Sequence, residues 1–143
     1  MNVYFSCSIT GGRDEEVIYQ AIVNEMEALG HTVPTAHLSS SQVMDLEKIG
    51  DPVEIFERDM AWLRACDAVV AEVSSPSHGV GYEIAYALSL KKPVLCCHLM
   101  HKPISKIISG NTTPGLTVVN YTLVDEVLLQ VRAFLGAVPA AQA

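Results

Sequence analysis

The chain has 143 residues, with 9 Lys and Arg against 16 Asp and Glu, which gives a formal net charge of −7. That length is typical of one domain, and a composition that is 50% apolar and only 17% charged argues against a disordered chain. The few basic residues are scattered, so the charge pattern argues against a nucleic-acid polymer as partner but not against a small anion.

The apolar residues are divided into short runs. None approaches the roughly 18 residues of a membrane span, and Met1 leads into a strand-like segment without the basic start of a secretory signal. We therefore expect neither membrane insertion nor secretion. The cysteines lack the paired spacing of a zinc site, and most fall in apolar runs that favour reduced core thiols, which predicts a cytoplasmic or nuclear location. They are Cys7, Cys66, Cys96 and Cys97.

Short β-rich runs alternate with amphipathic helical stretches along the chain. The predicted strands are Val3–Ile9, His31–Leu38, Ala68–Val73, Pro93–Cys97 and Leu116–Val119. The predicted helices are Asp14–Leu29, Asp51–Ala65, Val80–Leu90 and Thr122–Leu135, with a helical turn at Ile104–Ile108. No repeat or change of composition divides the sequence, which predicts a single domain over residues 1–136 and a flexible tail at 137–143.

This alternation predicts an α/β fold, because strands joined by helices form right-handed crossovers and a parallel sheet covered on both faces. We expect a flavodoxin-like or Rossmann-like three-layer sandwich whose five-stranded sheet has the order 2-1-3-4-5. In that order the chain reverses above the carboxyl ends of the first and third strands, and ligands bind in the crevice there. The loops after Ile9 and after Val73 are therefore predicted to form the site.

The first loop places two glycines just before a helix. Gly11 and Gly12 let the backbone approach a ligand, Ser8 and Thr10 supply hydroxyl groups, and the Arg13 guanidinium suits phosphate oxygens. The alternative is a tight turn with Arg13 in solvent.

The second loop again combines glycines and hydroxyls, but it leads to a carboxylate. Ser77 and Gly79 precede Glu83, which the predicted helix start places in the first turn. The helix dipole favours an ionised carboxylate there, as a nucleophile requires. The alternative is an ordinary first-turn acid.

A second carboxylate is needed to carry a proton in bond cleavage. Asp59 lies at the edge of an apolar helix face, where partial burial would raise its pKa, and the alternative is a solvated acid paired with Arg58. Glu72 competes for this role because a carboxylate in an apolar strand needs a partner. Tyr4 could place its hydroxyl near the crevice or lie in the core. A metal site at His98 and His101 is disfavoured, since no third ligand is evident.

With both loops considered, the chain resembles the 2′-deoxynucleoside 5′-phosphate N-hydrolases of the nucleoside 2-deoxyribosyltransferase superfamily. The resemblance runs from about Val3 to Gly110 and is specific because several separated motifs occur in the same order. These motifs are Tyr4-Phe5, Ser8-Ile9, Gly11-Gly12-Arg13, Asp59 with Trp62-Leu63, Asp67 to Val73, Pro76-Ser77, Gly79 to Glu83, and Lys92 to Cys96.

The resemblance implies a role for each matching residue. Glu83 attacks the sugar C1′ and forms a covalent deoxyribosyl-enzyme, Asp59 assists departure of the base, and Tyr4 orients the nucleophile. Ser105 is supplied by the neighbouring subunit, which implies a homodimer. Many relatives carry a basic residue where this chain has Thr10. The residues implied in substrate binding are Ser8, Ile9, Gly11, Gly12, Arg13, Ser77, Gly79 and Ser105.

The function that these observations predict is hydrolysis of 2′-deoxynucleoside 5′-monophosphates to a free base and 2-deoxyribose 5-phosphate, with neither a metal nor a redox cofactor. Two alternatives use the same nucleophile: transfer of deoxyribose between bases, and hydrolysis of ribonucleoside monophosphates such as CMP. A third alternative is a nucleotide-binding module without catalysis.

Overall fold

The computed structural model describes residues 1–42 and 49–139. Its strands are β1 (Val3–Ser6), β2 (Ala68–Glu72), β3 (Val94–Leu99) and β4 (Leu116–Tyr121). Its helices are α1 (Glu16–Ala28), a 3-10 helix (Ala36–Ser39), α2 (Pro52–Ala65), α3 (His78–Ser89), the short α4 (Lys106–Ser109) and α5 (Val124–Ala137). Residues 140–143 of the predicted tail lie outside the described residues, and the domain boundary at 136 stays a prediction.

The strands form a parallel sheet in the order β1-β2-β3-β4. All residues of β1 and β2 are buried, as is typical of parallel strands that are covered on both faces. Side chains on one face pack against α1 and α5, and those on the other face against α2 and α3. The sheet is therefore enclosed between two helical layers, as the α/β prediction required.

The predicted five-stranded sheet with the order 2-1-3-4-5 is wrong, because His31–Leu38 does not form a strand. The described chain has four strands, and this segment contributes only one parallel bridge, between Thr32 and Asn2. Pro34 has no N–H to donate to a sheet, and Ala36–Ser39 turns into the 3-10 helix.

Two hydrogen bonds take the place of the missing strand along the edge of β1 that does not pair with β2. The N–H of Val3 donates to the carbonyl of Thr32 at 2.8 Å, and the N–H of Phe5 donates to the buried Thr35 hydroxyl at 2.8 Å. Thr32 lies on the side of β1 opposite β2. The segment around Thr32 therefore lies along one edge of β1, and β2 lies along the other edge. This change of direction keeps the predicted crevice at the carboxyl ends of β1 and β2.

Each face of the sheet carries its own apolar core. Tyr19, Ile22 and Met26 of α1 contact the α1/α5 face, at the helical spacing seen in the sequence. Leu63 of α2 and Ile84 of α3 contact the opposite face. All four cysteines are buried and free. Of the helices in residues 1–42 and 49–139, none has both the length and the apolar character needed to cross a bilayer.

Thr35 offers a test of this edge. Thr35→Ala removes the acceptor of a buried N–H, and an unsatisfied buried donor costs about 1–3 kcal/mol. We expect Thr35→Ala to lower the free energy of unfolding by about that amount in urea titrations, and Thr35→Ser, which keeps the hydroxyl, to lose less than half as much. Equal stability of Thr35→Ala and the parent protein would contradict this account.

Candidate active site

The two glycine-bearing loops meet at the carboxyl ends of β1 and β2. A Cβ on Gly11 would lie 2.0 Å from the carbonyl oxygen of Pro76, so only glycine permits the two loops to approach this closely. Gly12 has a φ of 120°, a conformation that side chains other than glycine rarely adopt. Both predicted glycines are therefore required by the backbone path that joins the loops.

Glu83 faces β1 from helix α3. Ser77 caps this helix by accepting a hydrogen bond from the N–H of Val80 at 3.4 Å, and the helix begins at His78 rather than at Val80. Glu83 consequently lies in the second turn, not in the first turn as predicted. Since the dipole effect fades within the first turn, the carboxylate must be held by other groups.

Two hydroxyl groups of β1 hold the Glu83 carboxylate. The Tyr4 hydroxyl donates to Oε1 at 2.9 Å, and the Ser6 hydroxyl donates to Oε2. Tyr4 and Ser6 are two residues apart on one strand and so point to the same face of the sheet. Both are fully buried. Sequence analysis selected Tyr4 but missed Ser6, which the two-residue periodicity beside Tyr4 could have indicated.

The surroundings of Glu83 disfavour its charge. Burial raises the pKa of Glu83 to about 7, the Asp59 charge acts in the same direction, and the hydrogen bonds from Ser6 and Tyr4 act against both. Burial and the neighbouring negative charges of Glu83 and Asp59 also raise the pKa of Tyr4 well above its ordinary value. Tyr4 therefore keeps its proton and acts as a hydrogen-bond donor at neutral pH.

Asp59 approaches the same space from α2. Its side chain is 15% exposed, and its Oδ1 atom accepts hydrogen bonds from the Arg58 guanidinium at 2.8 Å. Arg58 in turn stacks over the ring of Trp62, with 4.9 Å between the guanidinium carbon and the ring centroid. Asp59 is thus largely buried, as predicted, and it faces the cavity that contains Glu83, but it also makes the pair with Arg58 that the alternative had assigned to a solvated acid.

Two adjoining cavities of about 280 and 400 Å³ lie in front of the carboxylates. Phe56, Asp59, Gly79 and Glu83 line both cavities. The smaller cavity adds the half-exposed ring of Tyr82. The larger one adds an apolar wall formed by Ile9, Leu38, Pro52, Ile55 and Val80. A flat apolar group and a polar group can therefore be accommodated next to both carboxylates.

A further cavity of about 260 Å³ lies between the two loops. Thr10, Gly11, Pro76, Ser77 and His78 line it. Next to Gly11, the Ser8 hydroxyl is buried and has no hydrogen-bond partner in the described part of the chain. Helix N-termini and hydroxyl groups are typical of anion sites. The predicted residues Ser8, Gly11 and Ser77 are thus brought together.

Arg13 is directed elsewhere. Its guanidinium donates to the carbonyl oxygens of Leu38 at 2.8 Å, Ser40 at 3.1 Å and Ser8 at 3.4 Å, and its Nε donates to Glu16 at 3.0 Å. It does not line any of the three cavities described above. Arg13 therefore joins the first loop to the 3-10 helix, and the predicted contact with a phosphate stays a prediction.

Ser105 lies beyond the second loop, at the start of α4. Its hydroxyl accepts a hydrogen bond from the N–H of Ile107 at 3.3 Å. Together with Ser77 and His78 of the same chain it lines a largely apolar cavity of about 560 Å³. The structure thus brings Ser105 towards the second loop, and its predicted role across a subunit interface stays a prediction.

Glu72, the competing second carboxylate, faces the opposite side of the sheet. It is fully buried, accepts hydrogen bonds from the Tyr121 hydroxyl at 2.8 Å and from Ser74, and burial raises its pKa. It therefore cannot act beside Glu83. The described residues contain no group of three or more His, Cys, Asp and Glu arranged for a metal ion.

Known proteins are similar to this chain in family, sequence and fold. Residues 3–127 match the model of the nucleoside 2-deoxyribosyltransferase family. The chain is 40% identical over 131 residues to a 5-hydroxymethyl-dUMP N-hydrolase of Danio rerio, covering 89% of this chain and 90% of that protein. It is 38% identical over 118 residues to a Methanococcoides burtonii protein provisionally named 2′-deoxynucleoside 5′-phosphate N-hydrolase 1, covering 82% and 97%.

A solved structure supports the fold. The CMP N-glycosidase of Clostridium botulinum superposes with a TM-score of 0.73 and 18% identity, covering 94% of this chain and 99% of that chain. Because the family model matches most of the chain, the chain belongs to the nucleoside 2-deoxyribosyltransferase family.

Proposed function

We propose that this protein is an N-glycosidase that hydrolyses 2′-deoxynucleoside 5′-monophosphates to a free base and 2-deoxyribose 5-phosphate. The observation that carries the proposal is the Glu83 carboxylate, held by Tyr4 and Ser6 in a cavity that it shares with Asp59. The names of the two relatives, an N-hydrolase in each case, support the same reaction.

In the first step, a Glu83 carboxylate oxygen forms a bond to C1′ of the sugar. The bond between C1′ and the base nitrogen breaks, its electron pair leaves with the base, and the protonated form of Asp59 passes its proton to that base. A pair of carboxyl groups of this kind serves retaining glycosidases. The product of the step is a deoxyribosyl ester of Glu83 and an Asp59 carboxylate.

In the second step, a water oxygen forms a bond to C1′ and the ester bond to Glu83 breaks. Asp59 takes the proton released by the water, so both carboxyl groups return to their starting state. One substrate and one water therefore give one free base, with a hydrogen on the nitrogen that had been bonded to C1′, and one 2-deoxyribose 5-phosphate.

The 5′-phosphate is proposed to occupy the cavity between the two glycine loops. The N-terminus of the 12-residue helix α3 and the hydroxyls of Ser8 and Ser77 suit an anion. Gly11, Gly12 and Gly79 allow the backbone to approach it, and Ile9 lines the neighbouring cavity. Arg13 supports this site by holding the first loop.

Transfer of deoxyribose to a second base is a second candidate, which the name of the matched family favours. Both reactions use a glycosylated Glu83, and they differ in whether water or a free base attacks it. Supplying a second base and separating the products distinguishes transfer from hydrolysis. Ribonucleoside monophosphates such as CMP belong in the same panel of substrates, because the structural neighbour is a CMP N-glycosidase.

A homodimer with Ser105 acting across the interface is also proposed. The side chain of Ile107, two residues away, is 81% exposed beside the apolar cavity that Ser105 lines. Covering this surface with a second copy would bury apolar area.

The buried free cysteines support the proposal of a cytoplasmic or nuclear location, where thiols stay reduced.

Removing the nucleophile tests the proposed reaction. The parent protein should release free base from at least one deoxynucleoside monophosphate, and Glu83→Gln should reduce that rate by about a thousandfold or more. Base release is measured by chromatography across all deoxyribonucleoside and ribonucleoside monophosphates. Glu57→Gln, at an exposed acid on α2, is the matched control and should retain full activity. The proposal would be refuted if Glu83→Gln released base at the parental rate, or if the parent protein released no base from any of these substrates.

The pH dependence tests the charge state of the nucleophile. Glu83 must be ionised to attack, and its pKa is raised to about 7, so kcat/KM should increase as the pH is raised towards about 7 and should fall again where Asp59 loses the proton that it passes to the base. The substrate phosphate has its own ionisation near pH 6. An unphosphorylated deoxynucleoside measured in parallel separates the two titrations. A rate that is flat from pH 5.5 to 9 would contradict the assignment.

Mixing two inactive variants tests the interface. Glu83→Gln supplies an intact Ser105, and Ser105→Ala supplies an intact Glu83, so mixed dimers contain one complete site if Ser105 acts across the interface. We expect a loss of monophosphate hydrolysis in each variant and a partial recovery on mixing. Ile107→Asp should shift the mass measured by light scattering from dimer to monomer. No recovery on mixing would assign Ser105 to its own subunit.

A further inference from the structure

Ser6 has no part in the motifs on which the family resemblance rests, yet it contacts the central carboxylate directly. It is the last residue of β1, it is 0% exposed, and its hydroxyl donates to Oε2 of Glu83. The other carboxylate oxygen is held by Tyr4. Each oxygen of the nucleophile thus has its own hydroxyl donor on one strand.

We propose that Ser6 is a positioning residue for the nucleophile, which keeps the Glu83 carboxylate ionised and fixes its orientation towards the sugar. This inference rests on the proposed function. Two donors on different oxygens determine the plane of the carboxylate, whereas one donor would allow it to rotate. A carboxylate has about four lone-pair sites, so the two hydroxyl contacts still leave sites for attack on C1′.

The chemical need for a second donor follows from where Glu83 lies. Removing a carboxylate from water disfavours its charged form. A hydroxyl that donates to the carboxylate stabilises the ionised state and lowers the pKa, and Ser6 acts in that direction here, against burial and the Asp59 charge. Without Ser6, a larger fraction of Glu83 would be protonated at neutral pH and unable to attack.

The groups that face Glu83 limit what else can titrate near it. On β1 and the loop after it these groups are Tyr4 and Cys7, and on α2 they are Asp59 and its partner Arg58. The pKa of Tyr4 is raised above its ordinary value and burial raises that of Cys7 to about 12, so both stay neutral between pH 5 and 9. Asp59 is the carboxylate that must be controlled for.

The experiment compares pH profiles of Ser6→Ala, Ser6→Thr and the parent protein. Ser6→Ala should shift the inflection of kcat/KM upward by about one pH unit, which is roughly a tenfold loss on the acidic side. Much of the activity should return at the shifted pH optimum, and any loss that persists at the optimum measures orientation. Ser6→Thr keeps the hydroxyl on a residue suited to a strand and should restore the parental inflection. Ser89→Ala, at the exposed far end of α3, is the matched control.

A measurement without substrate separates this inference from the proposed reaction. The side-chain carboxyl carbon of Glu83 can be followed by NMR in protein labelled at glutamate, with Glu83→Gln identifying its resonance and Asp59→Asn showing the contribution of Asp59. If the parent protein releases no base, the proposed function fails, but the titration of Glu83 still tests Ser6. The inference holds if Ser6→Ala raises the titration midpoint and Ser6→Thr does not. It is overturned if Ser6→Ala leaves the midpoint and the inflection unchanged, including the case in which it lowers only thermal stability.

Discussion

The contact of one helix carboxylate with two strand hydroxyls is the interaction on which the site depends. Glu83 is carried by α3, while Tyr4 and Ser6 are carried by β1, and the fold brings them together by placing both elements on the same face of the sheet. Burial raises the pKa of the carboxylate, and the two donors oppose that effect. The pKa of Glu83 is therefore held near neutrality by the groups around it and not by the helix dipole.

The loops around this contact are held by groups that do not reach the cavity. The Arg13 guanidinium donates hydrogen bonds to backbone carbonyls, and these bonds connect the first loop to the 3-10 helix. On the opposite side of the sheet, the buried Glu15 carboxylate accepts a hydrogen bond from Ser75 at 2.7 Å and pairs with Lys102. This joins the start of α1, the second loop and the segment after β3. The loops that would hold a phosphate are thus held in place by the Glu15–Lys102 ion pair and by the contacts of Arg13 with backbone carbonyls.

Several parts of the site could be predicted because their signals are local. Gly11 and Gly12 indicate a loop whose backbone approaches its neighbours closely. The alternation of strands and helices predicts a parallel sheet with its site at the carboxyl ends of the strands. The correct order of motifs identified the family, which the match over residues 3–127 shows. The predicted second strand, His31–Leu38, was wrong because Thr35 satisfies the edge of β1 with its side chain, a contact that strand propensity does not reveal.

The sequence by itself determined the fold class, the family and the identity of the nucleophile candidate, since these follow from periodicity and from motifs that are continuous in the chain. Only the tertiary structure decided which side chains meet: it added Ser6 to Glu83, turned Arg13 towards the backbone, and placed Glu72 behind the sheet. The physical reason is that hydrogen bonds and burial depend on distances between residues far apart in the chain. Periodicity indicates the face on which a residue lies, but the contacts it makes there depend on which elements pack against that face.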